Sequence, residues 1–451
     1  MGVDTARDHV ATGRVEDRCI DAEAIGGAPF EQRGDPAVLD EHVGFDRSCR
    51  VDDQSVGDEG SHGVIIAPVH TLPHGFTCHV TNIGIKDSTD DFTVLASDRP
   101  TASAAMFTRS RFAGPSVVVS REHAAHGAAR AVVVISKNAN VATGAEGLAN
   151  AREVVAGVAS TIGCNDTEVL IASTGVIGRQ YPMERVRAGL AGLSWPFAGN
   201  DAEAVARGIM TTDTHPKLAS AQVGPVSIVG VAKGVGMIEP DMATMISVFA
   251  TDAAIRQADL DAVFRRVVGR TFNCVSIDTD TSTSDTAIIL ANGAGGEVDL
   301  AEFERALESV ALTLTKMIAR DGEGATKLLE VCVDGARDDV QAKRVAKAIV
   351  NSPLVKTAVH GADPNWGRVA MAVGKCSDDT DIDEGKVVIR FGDQELFPTQ
   401  VDAAGLQRLS TYLRGDNVRI HVSLGIADGT STVWGCDLTD GYVRINADYT
   451  T

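Results

Sequence analysis

The stretch KGVGMIEPDMATM, residues 233–245, forms a predicted bend that runs directly into an apolar segment. Its two glycines and Pro240 are typical of a turn, and the run MISVFATD at its end is typical of a buried β-strand. Thr244 lies where the bend meets the strand. A small hydroxyl residue at such a junction either simply begins the strand or takes part in chemistry, and spacing alone leaves both interpretations open.

Thr244 needs a base if it is to act as a nucleophile, because a threonine hydroxyl is weakly nucleophilic at neutral pH. No histidine lies near it in the sequence. Breaking the chain between Ala243 and Thr244 would supply the base on the same residue, since a free α-amine has a pKa of about 7.7 to 8.0. A bend at Gly236 and Pro240 that presses the Ala243 carbonyl towards the Thr244 hydroxyl would permit an N-to-O acyl shift, and water would then cleave the ester.

The composition narrows the class of protein. A chain of 451 residues with a hydrophobic fraction of 44% fits a soluble protein of two or three domains. The net charge of −20 argues against a nucleic-acid partner and against docking on an anionic membrane. No window approaches the roughly eighteen apolar residues of a membrane-spanning helix, and the N-terminus lacks the apolar segment of a secretory signal. The eight scattered cysteines, without a Cys-x-x-Cys pair, predict reduced thiols in a cytoplasmic protein.

Residues 1–60 differ from the rest of the chain in charge. They hold fifteen Asp or Glu and six Arg, a net charge of −9 out of the total of −20. They also have few aromatic residues and no sustained periodicity. We interpret this segment as an acidic, weakly ordered leader without chemistry of its own.

From about residue 61 onward, short β-branched runs alternate with amphipathic segments, which predicts a mixed α/β fold. Helices are predicted at ADLDAVFRRVVGRTF, whose apolar residues recur at i, i+3, i+4, i+7 and i+8, at DLAEFERALESVALTLTKMIAR and at KRVAKAIV. The runs predicted as strands are FTVLAS, SVVVS, AVVVIS, EVLIAST, VSIVGVAKG, MISVFATD, TAIILANG, KVVIRFG, VRIHVSLG, STVWGCD and YVRINADY.

The run DTDTSTSD, residues 278–285, places carboxylates at the first and third positions of a possible calcium loop. It lacks the glycine at the sixth position and the glutamate at the twelfth, where Thr283 and Ile289 stand. Two interpretations remain: Asx and Ser/Thr turns between two strands, or one wall of a polar active site.

Two other patterns give no functional site. His70 and His74 have the spacing of a helical metal pair, but Pro73 interrupts the helix and no further ligand lies nearby, so we predict no metal site. GAGGE, residues 293–297, lacks the full spacing and the lysine of a phosphate-binding loop, and a plain turn between a strand and a helix is expected there.

The segment KGVGMIEPDMATMISVFATDA resembles the signature around the nucleophile of the ornithine acetyltransferase family, also called glutamate N-acetyltransferases. Members of this family usually have K-G-S-G-M-I-x-P-N-M-A-T-M there, cleave themselves before the threonine and acylate it. The similarity extends over roughly residues 61–451 and leaves the leader outside. The other matching segments, in the same order as in the family, are SREH (120–123), NANVATG (138–144), STGVIG (173–178), MTTDT (210–214), DTDTSTSDT (278–286), RDGEGATK (320–327), DPNWGR (363–368) and YVRINADYTT (442–451).

The resemblance implies a fold and a domain organisation. The fold is a layered α/β sandwich of the self-cleaving aminopeptidase and ornithine acetyltransferase type, with a smaller C-terminal α/β lobe. We expect the leader at 1–60, a catalytic domain at 61–295 that contains the cleavage site Ala243–Thr244, and a lobe at 296–451 whose last strand returns to the active site. Cleavage would give α and β fragments that stay associated, and two such αβ pairs are expected to form a dimer.

The resemblance also implies roles for residues that match the family's motifs. Thr244 would be the nucleophile, and Thr174 and Gly175 of STGVIG would form the oxyanion hole. Lys233 would pair with a substrate carboxylate, and Glu323 would accept an amine. No metal and no cofactor is implied. Besides Thr244, the residues expected to contact the substrate are Thr211, Lys233, Glu323, Asn446 and Thr451.

The implied reaction is acyl transfer in two steps. N2-acetylornithine would acylate Thr244 and release ornithine, and glutamate would then take the acetyl group to give N-acetylglutamate. Glu239 and Asp241 in the signature, with Thr279 and Ser284 in the polar run, depart from the usual pattern and resemble a secondary-metabolism branch. They leave the donor and the acceptor open, and with them the use of acetyl-CoA. The alternatives are an N-terminal-nucleophile hydrolase, in which water replaces the acceptor, and a non-catalytic relative.

Overall fold

The computed structural model of the protein describes residues 70–239 and 245–448. The predicted leader, the cleavage-site residues Ala243 and Thr244, and the terminal Thr451 lie outside these ranges. None of the helices in the described ranges combines the length and the apolar character needed to cross a membrane.

The described residues form fourteen strands, arranged in three sheets, and eleven α-helices. The strands are β1 (Phe76–Thr81), β2 (Phe92–Ser97), β3 (Ala102–Phe107), β4 (Ala131–Asn138), β5 (Val169–Val176), β6 (Lys217–Val223), β7 (Val226–Lys233), β8 (Ile246–Ala254), β9 (Thr286–Glu297), β10 (Leu328–Ala336), β11 (Val388–Phe391), β12 (Gln394–Phe397), β13 (Asn417–Ser423) and β14 (Gly429–Cys436). The helices are α1 (Pro115–Ala124), α2 (Gly144–Ile162), α3 (Met183–Ala191), α4 (Ala202–Ile209), α5 (Gln257–Arg270), α6 (Leu300–Arg320), α7 (Asp339–Val350), α8 (Pro353–His360), α9 (Trp366–Gly374), α10 (Ala403–Leu413) and α11 (Asp440–Asp448).

Two of the sheets stack face to face. The first has the strand order β1-β2-β4-β5, and the second has the order β3-β9-β8-β7-β6. Their facing sides share one apolar core, to which Val132 and Leu170 contribute from the first sheet and Val231 and Val248 from the second. Alternate residues of each strand point into this core, as the period of two along a strand requires.

Helices cover the outer faces of both sheets. Helices α1 and α2 cover the first sheet, where Val133 shares a core with Val154. Helices α5 and α6 cover the second, where the Phe249 ring lies 5.9 Å from the ring of Phe264 and 6.0 Å from that of Phe272. The layer order helix, sheet, sheet, helix is the predicted α/β sandwich, so the predicted fold class is confirmed.

The third sheet, with the order β12-β11-β13-β10-β14, belongs to the C-terminal part of the chain. Helix α7 packs on β10 and β14. The core beneath α6 continues into this sheet, because Leu314 of α6 lies in the same buried cluster as Val331 of β10. The domain boundaries at residues 60/61 and 295/296 stay predictions.

The predicted strand SVVVS is a helix, α1, and this prediction was wrong. Pro115 occupies the first turn of α1, where the fixed φ of proline favours a helix. Three polar side chains of α1 bind the edge of β5. The Ser120 hydroxyl donates to the Ile171 carbonyl and accepts from its N–H, both at 2.6 Å. His123 Nδ1 lies 2.9 Å from the Val169 carbonyl, and the Ser116 hydroxyl lies 2.7 Å from that of Ser173. The helix therefore covers a strand edge that would otherwise be unpaired.

The predicted last strand, YVRINADY, is also a helix, α11, which corrects the expectation that a strand returns to the active site. None of the described side chains of α11 is fully buried. The alternating apolar residues therefore do not pack into a core, as they would in a strand. Contacts one helical turn apart stabilise the helix instead. Arg444 lies 2.9 Å from Asp440, and the Asn446 amide donates to the Tyr442 carbonyl at 3.0 Å.

The GAGGE segment is part of a strand rather than a turn. Strand β9 continues to Glu297, and its pairing with β8 shifts register between Thr251 and Ala253. Gly293 and Gly296 have φ values of +75° and +93°, which glycine adopts at little cost. The glycines thus permit a bulged extension of the strand.

We expect Phe249→Ala to lower the free energy of unfolding by about 3 to 5 kcal/mol, because it leaves a cavity between β8 and the aromatic rings of the outer helical layer. Chemical denaturation followed by circular dichroism would measure the change. The matched control is Phe112→Ala, since Phe112 is 70% exposed. Equal unfolding midpoints for the two variants would contradict the assignment of Phe249 to the core.

Candidate active site

A cavity of about 410 Å³ opens beside the bend that follows β7. Segments that are far apart in the sequence converge on it. Met245, which follows Thr244 in the sequence, lines the cavity. Six of the predicted site residues also line it: Thr174, Gly175, Thr211, Lys233, Glu323 and Asn446.

Thr174 and Gly175 lie at the carboxyl end of β5, which pairs in parallel with β4. Thr174 is buried, at 8% exposure. Gly175 has a φ of +131°, and a Cβ at this position would overlap the backbone carbonyl of Lys137. Only glycine fits this close approach of two strands. The pair therefore presents a hydroxyl and an unobstructed main chain to the cavity.

Lys233 is the last residue of β7, where it pairs with Ile246, the first residue of β8. Its ammonium nitrogen lies 3.4 Å from the Thr211 hydroxyl. Burial lowers the pKa of Lys233 below its ordinary value, and the nearby Asp213 carboxylate acts in the opposite direction. The cavity thus holds one cation that is partly removed from water beside a hydroxyl, an arrangement suited to a carboxylate ligand.

A buried ion cluster supports this corner of the cavity, and sequence reasoning missed it. The Lys217 ammonium group is fully buried and lies 2.7 Å from Asp213 Oδ1 and 2.6 Å from Asp321 Oδ2. Asp213 also accepts hydrogen bonds from the backbone N–H of Gly234 at 2.7 Å and of Thr211 at 3.0 Å. The cluster therefore fixes the main chain at Thr211 and beside Lys233.

Asp213 and Asp321 lie within the motifs MTTDT and RDGEGATK, so their neighbourhood was predicted but their role was not. Burial acts to raise the pKa of the Asp213 carboxyl, but the Lys217 and Lys233 ammonium groups outweigh it, so this pKa lies below its ordinary value. The sequence does not predict that Lys217 is buried, because a lysine at the first position of a strand is usually exposed to solvent.

Glu323 and Asn446 also line the cavity. Asn446 Nδ2 donates to Glu323 Oε2 at 3.0 Å, and the Glu323 N–H donates to the Val235 carbonyl at 2.8 Å. The carboxylate lies against Gly236, where a Cβ would come within 2.6 Å of Glu323 Oε2. A side chain at position 236 would displace the carboxylate. The cavity lining thus contains the Lys233 ammonium group and the carboxylates of Glu323 and Asp285.

The run at 278–285 contains a Ser/Thr turn, in which the Ser284 N–H donates to the Ser282 hydroxyl at 3.2 Å, and it also reaches the cavity. Residues 282–285 line the cavity, and the Asp278 carboxylate accepts hydrogen bonds from the backbone N–H of Met237 and of Ile238, at 2.6 and 2.7 Å. No helix forms at His70 and His74. Across the described ranges, no three His, Cys, Asp or Glu side chains come together as metal ligands.

A family model, described as the ArgJ family, matches residues 77–451. The chain belongs to the ArgJ family. The acidic leader lies outside the part of the chain that the family model matches.

Two curated relatives are similar over nearly their whole length. The chain is 61% identical over 385 residues to a protein named glutamate N-acetyltransferase Oat2 from Streptomyces clavuligerus. The aligned region covers 84% of this chain and 98% of that relative. It is 56% identical over 381 residues to arginine biosynthesis bifunctional protein ArgJ 2 from Nostoc sp., with the same two coverages.

Two solved structures of this family match part of the chain. The crystal structure of arginine biosynthesis bifunctional protein ArgJ from Bacillus halodurans is 43% identical, with a TM-score of 0.42, and covers 44% of this chain and 96% of the solved chain. The structure of ornithine acetyltransferase complexed with ornithine from Mycobacterium tuberculosis is 30% identical, with a TM-score of 0.39, and covers 40% of this chain and 100% of the solved chain.

We expect Asp213→Asn to destabilise the protein by about 3 to 5 kcal/mol near neutral pH, because it unbalances the buried charge of Lys217. The folded-state pKa of Asp213 lies below the unfolded value of about 3.9, so the stability that its ionised form contributes is complete above that value and is lost as the pH falls through the folded pKa. The difference in unfolding free energy between wild type and variant should therefore shrink below about pH 4.

Chemical denaturation between pH 3 and pH 8 would measure this difference. Asp428→Asn is the control, because Asp428 is exposed and its substitution should change stability little at any pH. A difference for Asp213→Asn that stays constant down to the lowest pH would contradict the ion-cluster assignment.

Proposed function

We propose that this chain is a self-processing N-terminal-threonine acyltransferase that moves an acetyl group from N2-acetylornithine to glutamate through an acetyl-Thr244 intermediate. One observation carries the proposal: a single cavity collects Thr174, Gly175, Lys233 and Glu323 beside Met245, the residue that follows Thr244. The acceptor is taken from the name of the relative glutamate N-acetyltransferase Oat2, and the donor is the one that the family resemblance implies. The size of the cavity, about 410 Å³, suits a small amino-acid derivative.

Self-cleavage comes first in the proposed sequence. Thr244 Oγ attacks the carbonyl carbon of Ala243, a carbon–oxygen bond forms, and the hydroxyl proton passes to the departing nitrogen as the peptide bond breaks. Water hydrolyses the resulting ester and leaves a carboxylate on Ala243 and a free hydroxyl on Thr244. The new α-amine of Thr244, with a pKa of about 7.7 to 8.0, then serves as the base for its own hydroxyl.

Acetyl transfer follows in two balanced halves. Thr244 Oγ attacks the acetyl carbonyl of N2-acetylornithine, and the hydroxyl proton moves through the α-amine to the leaving nitrogen, so ornithine departs and an acetyl ester remains. The amine of glutamate then attacks this ester. Its proton is taken by the α-amine and returned to Thr244 Oγ as the ester bond breaks, which gives N-acetylglutamate and regenerates the enzyme.

The groups around the cavity match the charges that appear in these steps. Thr174 and Gly175 would supply donors to the oxyanion, a contribution worth about 100- to 1000-fold per donor in comparable sites. Lys233, with Thr211, would bind the substrate carboxylate. Glu323 would accept an amine. Asn446, which already donates to Glu323, and the terminal Thr451 would close the pocket.

The α fragment, residues 1–243, and the β fragment, residues 244–451, are proposed to stay associated. Strand β7 would lie in the α fragment and β8 in the β fragment, and they pair from Ile228↔Thr251 to Lys233↔Ile246 within one sheet. Separating the fragments would expose both apolar faces of that sheet. The dimer of αβ pairs and the cytoplasmic location stay predictions.

We expect the purified chain, 47.2 kDa when intact, to consist of two fragments, one of which begins at Thr244. Intact-mass measurement and N-terminal sequencing would detect them. Thr244→Ala should remain a single full-length species, because it lacks the hydroxyl that attacks Ala243. Thr244→Ser keeps both the hydroxyl and the future amine and should still be cleaved. Wild type that transfers acetyl groups while intact would contradict the mechanism.

We expect the matured protein to release ornithine from N2-acetylornithine continuously only when glutamate is present. Without an acceptor, release should stop near one equivalent per active site, because the acetyl ester persists. Quantifying ornithine and N-acetylglutamate over time, with Thr244→Ala as the inactive control, would test this. Continuous release without glutamate would instead indicate a hydrolase, and no release from fully matured protein would indicate a non-catalytic relative or a different donor.

A further inference from the structure

Glu239 is the last described residue before the proposed cleavage site, and the chain around it is held by an unusual number of contacts. The N–H groups of Met237 and Ile238 donate to Asp278 at 2.6 and 2.7 Å. The Glu239 N–H donates to the Asp280 carbonyl at 3.0 Å. Three consecutive backbone groups before the junction are therefore fixed to the polar run at 278–285.

The Glu239 side chain adds contacts with a different part of the protein. Its Oε2 accepts hydrogen bonds from Asn351 Nδ2 at 2.7 Å and from the Ser276 hydroxyl at 3.2 Å. Its Oε1 lies 3.4 Å from Lys347 Nζ. Lys347 lies on α7 and Asn351 is the residue that ends it, so the carboxylate ties the bend to a helix of the C-terminal part.

The other side of the junction is fixed as well. Met245 is 3% exposed, and its carbonyl accepts a hydrogen bond from the Thr286 N–H at 2.8 Å. Ile246 is paired with Lys233 in the sheet. Both ends of the short connection that contains Ala243 and Thr244 are thus held, which lowers the entropy cost of bringing a hydroxyl to a carbonyl carbon.

We propose that Glu239 is a positioning residue for self-cleavage: its carboxylate holds the chain upstream of the junction against α7 and so restrains the segment that leads to the Ala243–Thr244 bond. This inference rests on the proposed function, since it assumes cleavage between those two residues. Glu239 does not line the cavity, so it acts on maturation and not on acetyl transfer. After cleavage, Glu239 lies in the α fragment and its partners Ser276, Lys347 and Asn351 lie in the β fragment.

The test follows maturation of the full chain directly, by pulse-labelled cell-free synthesis and a chase sampled by gel and intact mass. We expect Glu239→Ala to slow the appearance of the fragment that begins at Thr244 by about 10- to 100-fold, the usual effect of losing hydrogen bonds to a charged group. Glu239→Gln keeps an oxygen acceptor for Asn351 and Ser276. It should mature faster than Glu239→Ala but more slowly than wild type, because it keeps those hydrogen bonds and loses the charge that faces Lys347 across a largely buried ion pair.

Two further measurements separate positioning from general stability. The unfolding midpoint of unprocessed Glu239→Ala, measured in a Thr244→Ala background, gives its cost in general stability, and Val154→Ala, which removes buried side-chain volume far from the junction, should lower the midpoint and still mature at the wild-type rate. The turnover of acetyl transfer per matured Glu239→Ala molecule should match wild type. The matched control is Glu384→Ala, which removes an exposed carboxylate and should mature at the wild-type rate.

The inference fails if Glu239→Ala matures at the wild-type rate. It also fails if Glu239→Ala and Glu239→Gln slow maturation equally and lower the unfolding midpoint, since that pattern describes a structural residue. Failure of the proposed function looks different: wild type itself would then stay uncut, or would be cut at another bond, in the same time course.

Discussion

The pairing of β7 with β8 is the constraint on which the rest of the molecule depends. The two strands lie side by side in the middle of the second sheet, and the pair Lys233↔Ile246 closes their ladder at the bend. Both faces of this sheet are covered: Val231 and Val248 face the other sheet, and Phe249 faces the outer helices. Because a slip of one residue would exchange the side chains that face the two cores, placing Val231 and Val248 where Phe249 packs and the reverse, the position of the bend relative to the cavity is fixed by packing.

The polar groups at this bend are tolerated because they form one connected network. Lys217 has no exposed surface, and a buried ammonium group of this kind is costly unless it is paired. Asp213 and Asp321 pair with it, and Asp213 uses its remaining capacity on the backbone at Thr211 and Gly234. The same carboxylate that neutralises the buried cation therefore fixes the main chain directly after Lys233 and at Thr211, whose hydroxyl lies beside the Lys233 ammonium group. The Asp213 carboxylate therefore contributes both to the stability of the fold and to the geometry of the site.

The alternation of β-branched and amphipathic runs predicted a mixed α/β fold, because most of the strands are buried runs, whereas the layered arrangement of the sheets was implied by the family resemblance. The prediction of elements failed where tertiary contacts outweigh local pattern. The β-branched run after Pro115 is typical of a strand but forms a helix. Ser120 and His123 lie at helical spacing and bind the unpaired edge of β5. The alternating run around Asn446 forms a helix because no sheet edge or core receives it.

For the site, motif order alone placed six residues that the structure brings to one cavity. The supporting residues were not foreseen, because their role depends on burial. Lys217 looks like any charged residue at the start of a strand, and its two carboxylate partners come from segments about one hundred residues apart in sequence. In the sequence, Glu239 is recognisable only as a departure from the family signature around Thr244. Its contact with Asn351 at the end of α7 depends on the tertiary structure.

The proposed chain break between β7 and β8 would leave the composite site intact. The proposed cut would fall beyond the last ladder pair, Lys233↔Ile246, so it would remove no hydrogen bond between strands and no buried side chain of the sheet. Thr174 and Lys233 would then belong to one fragment and Glu323 to the other, yet they line the same cavity. A cut within either strand would instead break the ladder and expose the core. The end of a central hairpin is therefore a place where a chain can gain a terminal amine inside a folded site at little cost in stability.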